Sequence, residues 1–265
     1  MARPWQSAPP EDWASAGSRA GTGRGAGWRM LSVFLVAQVA LLATAFFVLV
    51  PFAVNDSAFL RDGRLGTWPL IALLVVPSVT AALVAVAGTA WFGPGTRPAR
   101  VRRELALRWS RRDAGRGLAI GAGGLLLTIP AAVVWASWIG SEQATSAVGA
   151  AFGDRRLGPL AAGLMFLVVW LVAPLAEEVL FRGVLWRAFE HWRWNRWLVF
   201  AVTSAVFSVA HMELLRTPLL LVLSIPIGLA RLVTGNLLTC VVAHQVNNFL
   251  PALALLLAAT GALPS

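Results

Sequence analysis

The sequence predicts an all-α fold, a polytopic transmembrane helical bundle of about seven spans, and three observations predict it. Of the 265 residues 58% are hydrophobic and 13% charged, about half the charge of an average soluble domain. Apolar runs of about 20 residues recur along the chain, each long enough to cross a hydrocarbon core of roughly 30 Å. The 22 basic residues are all arginine, and they gather in the segments that flank those runs, as orientation by the positive-inside rule produces.

The same pattern narrows the partners. A net charge of +10 on a compact face would suit nucleic acid, but here the charge follows the ends of apolar runs, so the expected partner is the lipid bilayer and not a nucleic acid. The 13 tryptophans suit belts at headgroup level, where an amphipathic ring is favoured. Cys240 is the only cysteine, which excludes a disulfide within the chain and any cluster of thiolate metal ligands.

Taken in order, residues 1–27 are rich in Gly, Ala, Pro, Ser and Arg without periodicity and read as a disordered cytoplasmic tail. Spans are expected over 28–54 and 68–92, joined by a short polar loop over 55–67. The most basic segment, 93–116, separates them from a third span over 117–140, which opens with the small-xxx-small pair Gly117 and Gly121. After a loop over 141–158 come a fourth span (159–188), a linker carrying Arg193 and Arg196, and spans over 197–215, 218–233 and 235–259. Pro226 and Pro251 are expected to kink the last two. The arginine count puts the N-terminus, segment 93–116 and the linker after the fourth span on the cytoplasmic side of a cell membrane.

The fourth span interrupts its own apolar pattern with Glu177, Glu178 and Arg182. Each charged side chain at mid-bilayer costs roughly 2.5–3.5 kcal/mol on insertion scales, so three within six residues require a reason. Glu178 and Arg182 are four residues apart, on one helix face, where they can pair; Glu177 points about 100° away. Phe207 and His211 share a face of the fifth span, and His244 and Asn248 share one on the seventh. With a rise of 1.5 Å per residue, Glu177, His211 and His244 fall roughly 14–20 Å from the ends of their spans. Groups at comparable depth can line one polar cavity between helices, where ionisable residues in membranes are tolerated.

Such a cavity suits hydrolysis. A carboxylate in apolar surroundings can act as a general base on water near neutral pH; a histidine can orient that water, and His plus Asn can donate to a developing oxyanion. The chain lacks G-x-S-x-G, H-E-x-x-H and a Cys–His pair. What is left is a carboxylate-activated water, with or without a metal ion. Phe207 reads as packing, His191 as an interfacial linker residue, Asn247 as a helix contact, and Glu190 and Glu213 as solvated span ends.

Glu177-Glu178-x-x-x-Arg182, Phe207-x-x-x-His211 and His244-x-x-x-Asn248, in this order on successive apolar segments, resemble the motif set of the CPBP family, the CAAX-protease and bacteriocin-processing (Abi) intramembrane proteases. The resemblance covers 159–265, leaving 28–158 as accessory helices with a basic loop, and puts the catalytic core in the last four spans. It implies an endopeptidase acting on a peptide or protein substrate. Glu177 would be the base, assisted by His211; His244 and Asn248 would hold the oxyanion; Glu178 and Arg182 would keep the site in shape. It leaves open a metal-free glutamate mechanism or a zinc or other divalent ion on Glu177, His211 and His244, an acceptable zinc set. Two other function classes stand beside it: a non-proteolytic immunity or scaffold protein with this fold, and a proton-coupled transporter, which calls for inverted repeats that the sequence does not display.

Overall fold

The computed structural model describes residues 23–55, 61, 63–92 and 95–262. Most of the expected tail, residues 1–22, lies outside the described residues; its last four belong to the first helix. That helix, α1, spans Arg24–Asn55, followed by α2 (Thr67–Trp91), the short α3 (Arg97–Glu104), α4 (Arg111–Ile139) and two short helices, α5 (Ser141–Ala144) and α6 (Ala147–Phe152). The long α7 covers Pro159–His191, and α8 (Arg196–Ala210), α9 (Thr217–Thr234) and α10 (Leu237–Thr260) complete the bundle. No described residue is in a strand.

Six helices, α1, α2, α4, α7, α9 and α10, are long and apolar enough to cross a membrane. The span expected over 197–215 is shorter than anticipated. Its 15-residue helix α8 extends about 22 Å at 1.5 Å per residue. Met212 adopts φ 55°, a left-handed conformation that no right-handed helix continues, so the chain turns out of α8 at His211. The third span begins earlier than expected. The Ser110 hydroxyl accepts from the Asp113 N–H at 3.1 Å, a side-chain cap that starts α4 at Arg111.

Helix α7 occupies the centre, packed by α1, α2, α8 and α10. Its buried Leu180, Phe181 and Val184 join Phe34 of α1, Phe207 of α8 and Val241 of α10 in one core. On the far side of α10 lies α4, brought close by its glycines. A Cβ on Gly121 would sit 2.8 Å from Val246 Cβ and 2.9 Å from the Ala243 carbonyl oxygen, and one on Gly117 would sit 2.8 Å from the Thr239 oxygen. The small-residue spacing is therefore a packing seam between α4 and α10, the helix that carries His244.

Candidate active site

The site grows out of a defect in α7. The turns over Val168–Val172 and Val179–Leu185 are widened to i→i+5 hydrogen bonding around the α-helical turn Ala173–Glu178. Such π turns within α-helices occur often at functional sites. Ala173 N–H donates to the Val168 oxygen; the next bond in that register would need an N–H from Pro174, which has none. The Val169 carbonyl is instead reached by the Asn248 side-chain amide, Nδ2 to O at 3.3 Å. One proline in α7 and one asparagine in α10 thus answer each other across the helix interface.

One turn on, the two carboxylates separate as their 100° offset requires. Glu178 and Arg182 are both wholly buried and paired at 3.1 Å, Oε1 to Nη1. The same Glu178 oxygen meets His244 Nδ1 at 2.9 Å. Glu177 keeps 28% of its side chain exposed, and its Oε2 lies 3.7 Å from His244 Nε2. His244, itself buried, therefore stands between the two carboxylates, one ring nitrogen towards each. With Glu178 ionised, the proton of that contact sits on Nδ1, since a carboxylate only accepts.

Phe207 is more than packing. Its ring lies 4.5 Å from the Arg182 guanidinium carbon, 4.7 Å from the His211 ring, 5.8 Å from His244 and 5.3 Å from Phe181. The guanidinium that leaves Nε and Nη2 without hydrogen-bond acceptors is thus seated on an aromatic face, a favourable contact for a desolvated cation. His211, at the end of α8, has its Nδ1 2.8 Å from the Phe207 carbonyl oxygen. That oxygen can only accept, so Nδ1 carries the proton and Nε2 is left as the free ring nitrogen. The structure therefore brings Glu177, Glu178, Arg182 and His244 into direct contact and joins His211 to them through the Phe207 ring, while Asn248 is seated against α7 one turn beyond.

The expected metal-ligand set is not gathered. Among the described residues no three His, Cys, Asp or Glu side chains are grouped to hold an ion; His244 faces the carboxylates, whereas His211 meets Phe207. The donors present do not fit a bound divalent ion, and no step below passes through one.

A second polar cluster lies at the other end of α7, where the sequence suggested only interfacial residues. His191 is buried with its Nε2 3.0 Å from Glu104 of α3, and Arg187 bonds Glu104 at 3.0 Å and Glu190 at 3.1 Å. Burial by itself would raise the Glu104 carboxyl, but the His191 hydrogen bond and the Arg187 charge hold it down at about 2. Asn236, wholly buried, accepts from Arg108 N–H and Leu238 N–H and donates to the Arg108 oxygen and Asp113. Its place just after Gly235, at the N-cap of α10, was the available sequence signal. Glu104, by contrast, stands in the most basic segment with no local pattern that marks it.

Comparison with known proteins meets this geometry in one stretch. Residues 159–250 match the family model described as Type II CAAX prenyl endopeptidase Rce1-like. The match contains all seven motif residues and is consistent with the CPBP resemblance. An Escherichia coli relative, an uncharacterized 24.3 kDa protein, is 35% identical over 98 residues, which are 36% of this chain and 44% of that protein. The chain thus spans less than half the length of the curated relative it matches. No solved structure matches.

Proposed function

We propose that this chain is an intramembrane endopeptidase that hydrolyses a peptide bond with a water molecule activated by Glu177. The observation that carries the reading is the position of His244 between an accessible carboxylate, Glu177, and a buried, charge-compensated one, Glu178. A carboxylate that is reachable, beside a histidine whose other nitrogen is anchored, is the arrangement a general base and its oxyanion donor need.

In this mechanism the Glu177 carboxylate takes one proton from water as the water oxygen bonds to the scissile carbonyl carbon. The carbonyl π pair moves onto its oxygen. His244, held at Nδ1 by Glu178, donates from Nε2 to that oxyanion, and the second N–H of the Asn248 amide supplies another donor. The free Nε2 of His211 accepts from the attacking water. When the oxyanion pair re-forms the carbonyl, the C–N bond breaks, and Glu177 returns its proton to the leaving nitrogen. Arg182, seated on Phe207, pairs with Glu178 and holds it in place.

The test is cleavage of a peptide panel by the purified full chain in detergent. Glu177→Gln is expected to lower kcat by about 10²–10⁴-fold, the usual worth of a general base, and Asn248→Ala by about 10²–10³-fold, the worth of one oxyanion donor. Wild-type cleavage by a folded Glu177→Gln variant would sink the proposal. Because no metal takes part, prior treatment with a chelator is expected to leave the rate unchanged; loss of activity restored by one divalent ion would contradict the mechanism.

A further inference from the structure

We propose that the exposed side of the segment joining α2 to α4 is a docking surface for the anionic headgroups of a phospholipid bilayer. Its acids are turned inward: Glu104 is engaged by His191 and Arg187, and Asp113 by Asn236 and Arg116. Its arginines, apart from the buried Arg100, are turned outward. Arg102, Arg111 and Arg112 are exposed, and none of the three has an ion-pair partner among the described residues.

Apolar groups are interleaved with this charge in a way that water alone does not favour. Trp109 is 84% exposed between Arg108 and Arg111, and Trp91, at the end of α2, is 71% exposed, with the Arg97 guanidinium carbon 5.4 Å from its ring centroid. An indole beside basic groups at the end of a membrane span is at home at headgroup level, where its ring meets the acyl boundary and its N–H meets water. Since α2 ends and α4 begins here, the surface that this segment meets is that of the bilayer. Arginine adds attraction for anionic lipid.

The surface is held on a fixed frame. Leu107 N–H donates to the Arg102 oxygen at 2.8 Å, and Leu237 N–H at the start of α10 donates to the Ala106 oxygen at 3.1 Å. Asn236 clamps both backbone groups of Arg108. The charges are therefore pre-positioned, which lowers the ordering cost of binding.

The experiment uses the full chain reconstituted in phosphatidylcholine vesicles, with a fixed small fraction of dibrominated lipid supplied as phosphatidylglycerol or as phosphatidylcholine. Tryptophan quenching by the brominated phosphatidylglycerol should exceed that by the brominated phosphatidylcholine, and the excess should shrink with added salt. The combined R102Q, R111Q and R112Q variant should lose most of the excess, at about fivefold in local lipid enrichment per charge, and W109F should lose much of it. R61Q with R64Q, two exposed arginines near the start of α2, should keep it. Equal quenching by the two lipids, or an excess unchanged in the triple variant with native helical circular dichroism, would overturn the proposal. So would displacement of the excess by millimolar inorganic phosphate, which would assign a phosphate-ion site instead. None of these readings depends on peptide cleavage.

Discussion

Glu104 shows how a single acid inside a basic loop acquires a structural task. In the unfolded chain a glutamate takes up its proton near pH 4.3, whereas in the folded chain the Glu104 carboxyl is held down at about 2. Between those values the unfolded state binds the extra proton, so stability rises with pH across this window. The contribution is complete above roughly pH 4.3 and is lost as the pH falls to about 2. Backbone amides in α3 should therefore lose protection against hydrogen exchange, relative to intrinsic rates at the same pH, on acidification through that range in the wild type. In Glu104→Gln the protection should already be lower at pH 6 and should lack this acid-dependent step. An identical profile in both would remove Glu104 from the account. The same scale separates the two adjacent carboxylates of α7. Glu178 is anchored by Arg182 and His244, while Glu177 keeps part of its side chain exposed.

At the scale of elements, α7 and α10 form a matched pair. Pro174 deprives Val169 of a helical donor, and Asn248 supplies one, so the widening of α7 and the face of α10 belong to one device. Helix α4 supports α10 from behind through a seam to which it brings glycines. Gly121→Ala would place a methyl 2.8 Å from Val246 Cβ and 2.9 Å from the Ala243 oxygen, and overpacking of this kind costs about 1–3 kcal/mol. Gly123, two residues on, has nothing within 4 Å of its would-be Cβ. Gly123→Ala should therefore leave the thermal midpoint in detergent unchanged or slightly raised, since alanine is the better helix former, whereas Gly121→Ala lowers it. Equal midpoints would show that the seam yields without cost.

For the whole molecule, the bundle has one basic end. Segment 97–116 meets the start of α10, the end of α7 meets α3, and Trp192 donates to the Arg24 oxygen at the start of α1. These contacts gather the start of α1, the α2–α4 segment and the α7–α8 linker on one face. The α5 and α6 helices lie across the membrane from it, with Glu213 accepting from Ala147 N–H. The positive-inside rule predicts that the basic end faces the cytoplasm. In a Cys240→Ala background, Arg102→Cys is expected to react with an impermeant thiol reagent only from the cytoplasmic side of vesicles. Gln143→Cys, exposed in α5, should react only from the other. Labelling of both from one side would break the topology.

The sequence by itself determined the class of the molecule and the cast of its site. Long apolar runs can satisfy their backbone groups in a bilayer only as helices, and charges as costly as Glu177, Glu178 and Arg182 stand out against them. Six of the seven motif residues were visible as i, i+4 pairs, and Glu177 as the acidic neighbour of one of them. What only the tertiary structure decided is how those faces meet. His244 lies between the carboxylates, and His211 is joined to them through Phe207. Asn248 is drawn to the Val169 carbonyl that Pro174, five residues on in α7, left open. The end of α8 at His211 rests on one left-handed residue, and the Glu104–His191 bond joins residues 87 apart. Periodicity records which side of a helix a residue occupies; it holds nothing about the rotation and depth of the neighbouring helix, which close packing sets.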